Sequence, residues 1–335
     1  MARRPRLAAT YEAAPNIALV KYWGLRDRER AVPYNSSISV TLDRLRSRTT
    51  VRFDPELRDD RVELNGEVAG GGVRQGVVEL LDRVRSLAGV TDRADVRSAN
   101  NFPTASGLAS SASGFAALAG AATVALGMRL SGRELSRLAR FGSGSASRSV
   151  FGGFVEWRAG VRRDGSDCYA RPLYGPDHWP ALVDLVVLVK GAPVKEIRSS
   201  DAMQATVATS PDYARRLAEL PRRTRRIRAA IGARDSRRLF PLIMEECDSF
   251  RNVCETTRPS LDYLTPTSRA LLGEVRAINR EAGRAVAAYT HDAGAHLHVF
   301  TLRRDAEKVR RRLVHLPGVE RTLLLPPGPG GRIVA

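Results

Sequence analysis

The feature that most constrains this chain is a run of 31 residues, 98–128, without a charged side chain. Serine and alanine are the commonest residues in its first half, which also contains Gly107, and the small apolar residues 115–128 predict a helix. A Gly/Ser loop that opens a helix lets backbone N–H groups approach an anion closely, and the helix N-terminus favours negative charge. The run therefore favours phosphate binding, with a tightly packed core helix as the alternative. It lacks the Gly-Lys-Ser/Thr signature of a Walker A loop.

Neither this run nor the start of the chain predicts a membrane or secretory segment. The apolar part, residues 114–128, falls short of the ~20 residues that span a bilayer. The first residues are basic but contain no apolar segment long enough for a signal peptide. The three cysteines have no paired spacing, which is typical of reduced thiols: Cys168, Cys247 and Cys254. We expect a cytoplasmic protein with no membrane partner.

The basic character of the chain rests almost entirely on arginine. The net charge is +18, and only four of the 54 basic residues are lysines: Lys21, Lys190, Lys195 and Lys308. The arginines are scattered and aromatic residues make up only 6%, whereas RNA binding predicts a clustered basic patch interleaved with aromatics. We therefore expect a solvated basic surface and no nucleic-acid partner. In such a chain Lys21, inside the apolar segment 15–24, indicates a required ammonium, with a strand-end lysine that reaches to solvent as the alternative.

Strand patterns fill the first half of the chain, and helical patterns dominate after residue 189. The strand candidates are residues 37–42, 49–53, 62–64, 151–157, 182–189, 286–289 and 297–302. The helix candidates are residues 75–87, 202–218, 220–231, 236–247 and 268–282. Because the strands cluster instead of alternating with helices, the pattern predicts an α+β architecture in two lobes. We place the lobes at residues 1–185 and 186–335.

Two further small-residue loops each contain one residue suited to chemistry. In residues 141–153, Arg148 stands among glycines, serines and alanines, where a guanidinium suits bidentate capture of a carboxylate or phosphate. The alternative is a surface turn. In residues 289–298, Asp292 follows a predicted strand, where it would act as a general base or belong to a simple turn. No standard zinc pattern fits the spacing of the nearby histidines, which are His291, His296 and His298.

With these motifs the chain resembles the mevalonate diphosphate decarboxylases, a branch of the GHMP kinase superfamily of small-molecule kinases. The matching segments are APNIALVKYWG (14–24), PYNSSISVTLD (33–43), NNFPTASGLASSASGFAAL (100–118), GSGSASRSVFGGFVEW (142–157), MQATVATSP (203–211) and Asp-Ala-Gly (292–294). They span most of the chain in the expected order. The resemblance implies a two-lobed GHMP-kinase-like fold, with a ribosomal-protein-like N-terminal lobe, a ferredoxin-like C-terminal lobe and the active site between them.

The resemblance also implies the reaction. ATP, with Mg²⁺, phosphorylates the tertiary 3-hydroxyl of a mevalonate phosphate, and phosphate then leaves as CO₂ is lost, forming an isopentenyl alkene for isoprenoid biosynthesis. Asp292 would accept the hydroxyl proton or orient the hydroxyl. Lys21 would stabilise charge on the transferred phosphoryl group. Arg148, steadied by Asn16, would hold the substrate carboxylate in line for fragmentation.

Binding residues follow from the same segments. The residues implied to contact the substrate are Tyr22, Ser143, Ser145, Arg74, Ser199 and Met203. Those implied to bind ATP are Pro103, Ser106, Gly107, Leu108, Ser110, Ser111 and Ser113. Of these, Ser110 or Ser111 would lie near Mg²⁺. The family expectation for assembly is a homodimer.

Three departures from the family pattern concern the substrate. Leu25 replaces the second lysine of Lys-Tyr-Trp-Gly-Lys, Arg198-Ser199-Ser200 replaces Ser-Ser-Arg or Ser-Ser-Thr, and Ala295-His296 replaces Pro-Asn after Asp-Ala-Gly. Charge-assisted contacts are worth ~1.5–3 kcal/mol each, so their loss would weaken recognition of a terminal β-phosphate.

We therefore expect a slight preference for mevalonate 5-phosphate over the 5-diphosphate. Arginines that would replace the missing cations, and so favour the diphosphate, are Arg198, Arg26 and Arg74. A mevalonate 3-kinase without decarboxylation is the alternative enzyme, and retention of Asp292, Lys21 and Arg148 together argues against it.

Overall fold

The structure is a computed structural model that describes residues 8–102, 110–193 and 197–334. It has two lobes, and each lobe contains both strands and helices. The strands in chain order are β1 (Ala8–Ala13), β2 (Asn16–Val20), β3 (Leu25–Asp27), β4 (Val32–Pro33), β5 (Ser37–Thr41), β6 (Ser47–Asp54), β7 (Arg61–Leu64), β8 (Glu67–Val68), β9 (Arg93–Asn100), β10 (Phe154–Trp157), β11 (Ala170–Tyr174), β12 (Leu182–Val189), β13 (Ala287–Thr290), β14 (Leu297–Leu302), β15 (Val319–Leu325) and β16 (Arg332–Ile333). The helices are α1 (Gly71–Ala88), α2 (Ser110–Ala125), α3 (Gly132–Gly142), α4 (Ala146–Ser149), α5 (Ser199–Thr209), α6 (Tyr213–Gly232), α7 (Ser236–Glu255), α8 (Pro266–Glu281) and α9 (Arg303–Val314). This arrangement confirms the α+β, two-lobed prediction.

The first lobe contains two sheets with α2 at its centre. A six-stranded sheet has the order β16-β1-β6-β9-β7-β8, and a four-stranded sheet has the order β11-β10-β5-β2. α2 packs against β1 and β6. Its small side chains allow a close approach, since a Cβ on Gly120 would lie 2.5 Å from the ring of Tyr11. Within the uncharged run, residues 98–100 therefore end β9, and residues 110–125 form a largely buried core helix.

The second lobe contains a four-stranded sheet with the order β13-β14-β12-β15, covered by α7 to α9. α6 packs against α7 and against β2 and β5 of the first lobe. All eight residues of β12 are buried, and seven of them are apolar, with Asp184 as the exception. One apolar cluster crosses from this lobe into the first, joining Ile17 and Ile38 to Val186 and Ile227. The core around α2 is a separate cluster.

The division into lobes at residue 185 stays a prediction. Residue 185 lies inside β12, and the end of the chain returns to the first lobe, where Ile333 of β16 pairs with Tyr11 of β1.

Most predicted elements agree with the structure, and the main error concerns one helix. β12 and β14 have the predicted bounds, but the predicted helix 202–218 is wrong. α5 ends at Thr209 because Pro211 forces Ser210 into an extended conformation, with ψ of 120°. α6 then continues through Pro221, where the sequence predicts an interruption.

No helix in the described ranges is both long enough and apolar enough to cross a membrane.

Candidate active site

A cavity of about 690 Å³ lies between the lobes. The first lobe contributes residues that follow β2, the start of α1 and the segment from α3 to α4. The second lobe contributes α5, Phe250 of α7 and Asp292 after β13. All four segments that the sequence analysis singled out therefore meet at one place: those around Lys21, Arg148 and Asp292, and the uncharged run through Ser110 and Ser111.

Lys21 and Asp292 form an ion pair in this cavity. The Lys21 ammonium donates a hydrogen bond of 2.7 Å to Asp292 Oδ1. Lys21 is only 3% exposed, whereas the Asp292 side chain keeps 28% exposure. Burial raises the pKa of Asp292, but the charge and hydrogen bond of Lys21 outweigh burial and hold that pKa below its ordinary value. Asp292 is thus an ionised carboxylate, able to accept a hydrogen bond or a proton from a ligand hydroxyl.

Arg148 is a buried cation that lines the same cavity. It lies in α4 with 2% exposure, so the alternative of a surface turn is wrong. Its Nε donates to Asn16 Oδ1 at 3.0 Å, and its Nη1 donates to Ser37 Oγ at 2.7 Å. These partners are neutral, and no Asp or Glu in the described part of the chain forms an ion pair with Arg148. A buried guanidinium with neutral partners, open to a cavity, is suited to an anionic ligand.

Three hydroxyl side chains line the cavity near Arg148: Tyr22 from the segment after β2, and Ser143 and Ser145 from the segment before α4. The hydroxyls of Ser143 and Ser145 lie 3.0 Å apart, and burial raises the pKa of Tyr22 to about 12. Gly144 is required between the serines because a Cβ there would lie 2.7 Å from the Tyr22 hydroxyl and 2.8 Å from Trp157. These hydroxyl groups stay neutral and provide hydrogen bonds beside the Arg148 cation.

The remaining predicted residues divide between the cavity and the core. The residues that line the cavity are Ser110, Ser111, Ser199 and Met203. Ser113 is instead fully buried, with its hydroxyl 2.7 Å from that of Ser47, because α2 packs this face against β6. The predicted ATP-binding residues Pro103, Ser106, Gly107 and Leu108 lie outside the described residues.

The arginines expected to replace the missing lysines have different positions. Arg74 donates to Asp59 at 2.8 Å and to the Asp60 carbonyl, and it does not line the cavity. Arg26 donates to the carbonyls of Ala159 and Gly160 and does not line it either. Arg198 does line the cavity, and its guanidinium lies 3.2 Å from where a Cβ on Gly72 would be. Leu25 also lines this cavity.

Sequence reasoning missed Arg28, which lines the cavity and pairs with Asp201 at 3.3 Å in an exposed position. It stands in a run of alternating charges, Arg-Asp-Arg-Glu-Arg, where no local pattern distinguishes a cavity residue from a solvated one. Sequence reasoning also missed Glu79 of α1, which lines the cavity. It is one of the polar residues of an amphipathic helix, and the local sequence does not show which of them faces a cavity.

The histidines near Asp292 have structural partners. His298 Nδ1 lies 2.6 Å from Asp184 Oδ2, and His296 Nδ1 accepts a hydrogen bond from the Val189 N–H at 3.1 Å. Among the described residues, no three His, Cys, Asp or Glu side chains lie together in a group able to hold a metal ion.

Comparison with known proteins gives one consistent result. Two family models match in succession: the diphosphomevalonate decarboxylase-like N-terminal domain over residues 13–170, and the mevalonate 5-diphosphate decarboxylase C-terminal domain over residues 185–323. The diphosphomevalonate decarboxylase mvd1 of Aspergillus fumigatus is 41% identical over 317 residues, which cover 90% of this chain and 78% of that protein. The diphosphomevalonate decarboxylase of Rattus norvegicus is 38% identical over 88% of this chain and 77% of its own length.

Solved structures agree along nearly the whole chain. The mevalonate diphosphate decarboxylase of Staphylococcus aureus has a TM-score of 0.92 at 34% identity and covers 99% of both chains. A structure of MDDEF in complex with MVAPP, AMPPCP and magnesium has a TM-score of 0.92 at 36% identity, covering 98% of this chain and 99% of that one. The resemblance that the motifs indicated is thereby confirmed: the chain belongs to the diphosphomevalonate decarboxylase family and is an ATP-dependent carboxy-lyase.

Proposed function

We propose that this chain converts mevalonate 5-diphosphate to isopentenyl diphosphate, with ATP and Mg²⁺. The observation that carries the proposal is the meeting of the Lys21–Asp292 ion pair and the buried Arg148 guanidinium in one cavity. The ion pair supplies a carboxylate that accepts a proton and an ammonium that stabilises negative charge. The guanidinium supplies a separate site for a carboxylate, so both halves of the reaction have a residue suited to them.

The overall change balances as follows. The 3-hydroxyl loses its proton and gains the phosphoryl group, with ADP as the other product. The C3–O bond then breaks and its electron pair leaves with phosphate, while the bond to the carboxylate breaks and its electron pair forms the alkene, releasing CO₂. A tertiary hydroxide is a poor leaving group, which is why the phosphate ester must form first.

The residues of the chain divide this work between them. Asp292 accepts the hydroxyl proton or orients the hydroxyl for attack, because it is ionised and faces the cavity. Lys21 holds Asp292 in its charged form and stabilises charge on the phosphoryl oxygens. Arg148 holds the substrate carboxylate by two parallel hydrogen bonds, a geometry that a lysine does not offer.

The groups facing the cavity also fit the cofactor. The hydroxyls of Ser110 and Ser111 and the carboxylates of Glu79 and Asp292 are hard oxygen donors, the kind that Mg²⁺ prefers. We assign Ser110 and Ser111 to the metal-bound nucleotide. When bound, the Mg²⁺–nucleotide complex supplies the phosphoryl group with its charge neutralised.

The choice of the diphosphate rests on the cations that line the cavity with Leu25. A leucine stands where the family pattern has a lysine, but Arg28 and Arg198 line the same cavity and supply it with positive charge. The relatives that match across most of the chain are diphosphomevalonate decarboxylases, which also favours the diphosphate. Both observations favour mevalonate 5-diphosphate as the substrate, whereas the departures from the family pattern favoured mevalonate 5-phosphate.

The direct test is ATP-dependent CO₂ release by the purified chain with mevalonate 5-diphosphate or mevalonate 5-phosphate at equal concentrations. We expect faster turnover of the diphosphate. Faster turnover of the monophosphate contradicts the substrate assignment, and ADP formation without CO₂ from either compound would identify a 3-kinase. Asp292→Asn serves as the inactive control in every assay.

Two further proposals concern the whole protein. We expect a homodimer, which a light-scattering measurement of molar mass tests. We also expect the chain to work in the cytoplasm, because its three cysteines are buried and free, as in a reducing compartment.

A further inference from the structure

Lys21 lies at the boundary between the lobes, and side chains hold its backbone. β2 is an edge strand of its sheet, and Lys21 is the first residue after it. The Lys21 N–H donates to Glu246 Oε1 at 3.0 Å, and the Lys21 carbonyl accepts from Asn35 Nδ2 at 3.0 Å and from Arg216 at 3.5 Å. Both backbone polar groups of the lysine are therefore fixed by side chains from outside its own sheet.

The Glu246 carboxylate is itself held on every side. It belongs to α7 and is completely buried. Arg216 of α6 donates to both of its oxygens, and Arg223 of α6 donates to Oε2 at 2.8 Å. Such a buried cluster is costly to form unless each charge is paired, and here each oxygen of Glu246 accepts two donors. The Glu246 carboxylate is thus held rigidly in the second lobe, and it accepts the hydrogen bond of the Lys21 N–H.

The lysine is consequently attached to the second lobe at both ends. Its backbone N–H meets Glu246 of α7, and its ammonium meets Asp292 after β13. The first lobe holds Lys21 through the chain and through Asn35, which donates to the Lys21 carbonyl, whereas α7 holds the Lys21 N–H. The position of the ammonium therefore depends in part on where α7 holds that N–H. A misplacement of about 1 Å can lower a rate ~100-fold when a reaction depends on alignment.

We propose that Glu246 is a positioning residue for the reaction: its buried carboxylate, clamped by Arg216 and Arg223, fixes the backbone of Lys21 so that the ammonium stays on Asp292. This inference rests on the role proposed above for Lys21. It assigns a function in turnover to a residue that does not line the cavity.

The test is a double-mutant cycle with Glu246→Gln and Lys21→Met, measured as kcat and KM for CO₂ release. The glutamine keeps an oxygen for the Lys21 N–H but turns an amide donor towards the arginines, so the clamp is disturbed. We expect Glu246→Gln to lower kcat about 10- to 100-fold with little change in KM. In the Lys21→Met background the same substitution should lower kcat no further, because its effect passes through Lys21.

Glu156→Gln is the matched control. Glu156 is also buried and also joins the lobes, through Arg228 of α6, but it does not contact Lys21. We expect Glu156→Gln to lower the melting temperature while leaving kcat close to that of the unaltered chain. If Glu246→Gln does not fold, Glu246→Asp replaces it, since the shorter carboxylate can keep the arginines while withdrawing from the Lys21 N–H.

The outcomes separate this inference from the proposed function. An unchanged kcat in the Glu246 variant, alongside a Lys21→Met variant whose residual kcat is strongly reduced, overturns the positioning role alone. An equal loss of kcat in both backgrounds also overturns it, because the role would then be structural. Normal turnover by Lys21→Met instead contradicts the proposed role of Lys21.

Discussion

At the scale of single residues, the ion pair between Lys21 and Asp292 explains why a lysine persists in a chain that otherwise uses arginine. An ammonium is a compact point charge that can approach one carboxylate oxygen and still move towards a phosphoryl group, whereas a guanidinium prefers a fixed planar pairing. The 2.7 Å contact to Oδ1 occupies one carboxylate oxygen and leaves the other for substrate. A lysine suits position 21 because its ammonium has to interact with both the Asp292 carboxylate and a phosphoryl group.

Replacing the carboxylate tests this account. Asp292→Asn removes the charge and the proton acceptor while keeping the shape of the side chain. We expect kcat for CO₂ release to fall ~10²- to 10⁴-fold, the usual contribution of a general base, with ATP affinity nearly unchanged. Turnover close to normal, in a variant that still binds ATP in a fluorescence titration, would remove Asp292 from the reaction.

A second residue-scale prediction concerns the phosphate tail. Because Arg198 and Leu25 line the same cavity, we expect Arg198→Ala to raise KM for the diphosphate about tenfold, equivalent to ~1.4 kcal/mol, with a smaller effect on the monophosphate. Leu25→Lys in the same variant should lower that KM again by restoring a cation. Arg26→Ala is the control, since Arg26 bonds to carbonyls away from the cavity. Equal KM changes for both substrates would mean that Arg198 does not read the terminal phosphate.

At the scale of elements, the short segment 21–24 is where the first lobe docks on the second. The Trp23 indole donates to Thr206 Oγ1 of α5 at 2.9 Å, and Tyr213 of α6 donates to the Trp23 carbonyl at 2.6 Å. Gly24 follows with φ of +106°, a conformation that favours glycine. The segment therefore fits only with a glycine after the tryptophan.

This fit predicts a difference between two glycines. A Cβ on Gly24 would lie 2.1 Å from the Tyr213 hydroxyl, so we expect Gly24→Ala to cost about 2–5 kcal/mol of unfolding free energy through backbone strain and overpacking. Gly66 also has positive φ, at +86°, but nothing lies within 4 Å of its Cβ position. Gly66→Ala should cost only about 1–2 kcal/mol. Urea unfolding measures both, and equal losses would show that the Tyr213 contact does not matter.

The elements show how far sequence patterns reach. The bounds of β12 and β14 were predictable because each is a short, mainly apolar run followed directly by a basic residue, Lys190 or Arg303. α6 was not, because a proline within a helical pattern ends a helix in most settings, whereas here the helix passes through Pro221 and packs against α7. Tertiary contacts of that kind leave no local signal.

At the scale of the whole molecule, the site could be predicted only in part. Motifs indicated Lys21, Arg148 and Asp292 separately, because each stands out from its neighbours in the sequence. That Lys21 would meet Asp292, and that Glu246 would hold the backbone of Lys21, depends on how the lobes pack. Arg28 and Glu246 are ordinary in their local sequence, so only the fold distinguishes them.

The buried histidines predict how stability depends on pH. Burial lowers the pKa of His291 and of His296 to about 4, below the unfolded value of 6.5. The unfolded chain therefore binds more protons between about pH 6.5 and 4, and stability falls as pH falls through this range. Linkage gives a loss of about 2 kcal/mol for each histidine between pH 7 and pH 5.

Urea unfolding at the two pH values measures that loss. His296→Asn keeps an acceptor for the Val189 N–H but does not titrate, so it should reduce the pH dependence by about half. An unaltered pH dependence in this variant would place the responsible groups elsewhere.

The apolar core that joins Ile17 and Ile38 to Val186 and Ile227 has a consequence for the history of the chain. Two halves that bury their side chains against each other cannot be exchanged independently between relatives, since a chimera would bring together surfaces that were never selected to fit. Recombination within such a gene is therefore harmful even where it leaves every catalytic residue in place. We expect the two halves of the protein to share one line of descent.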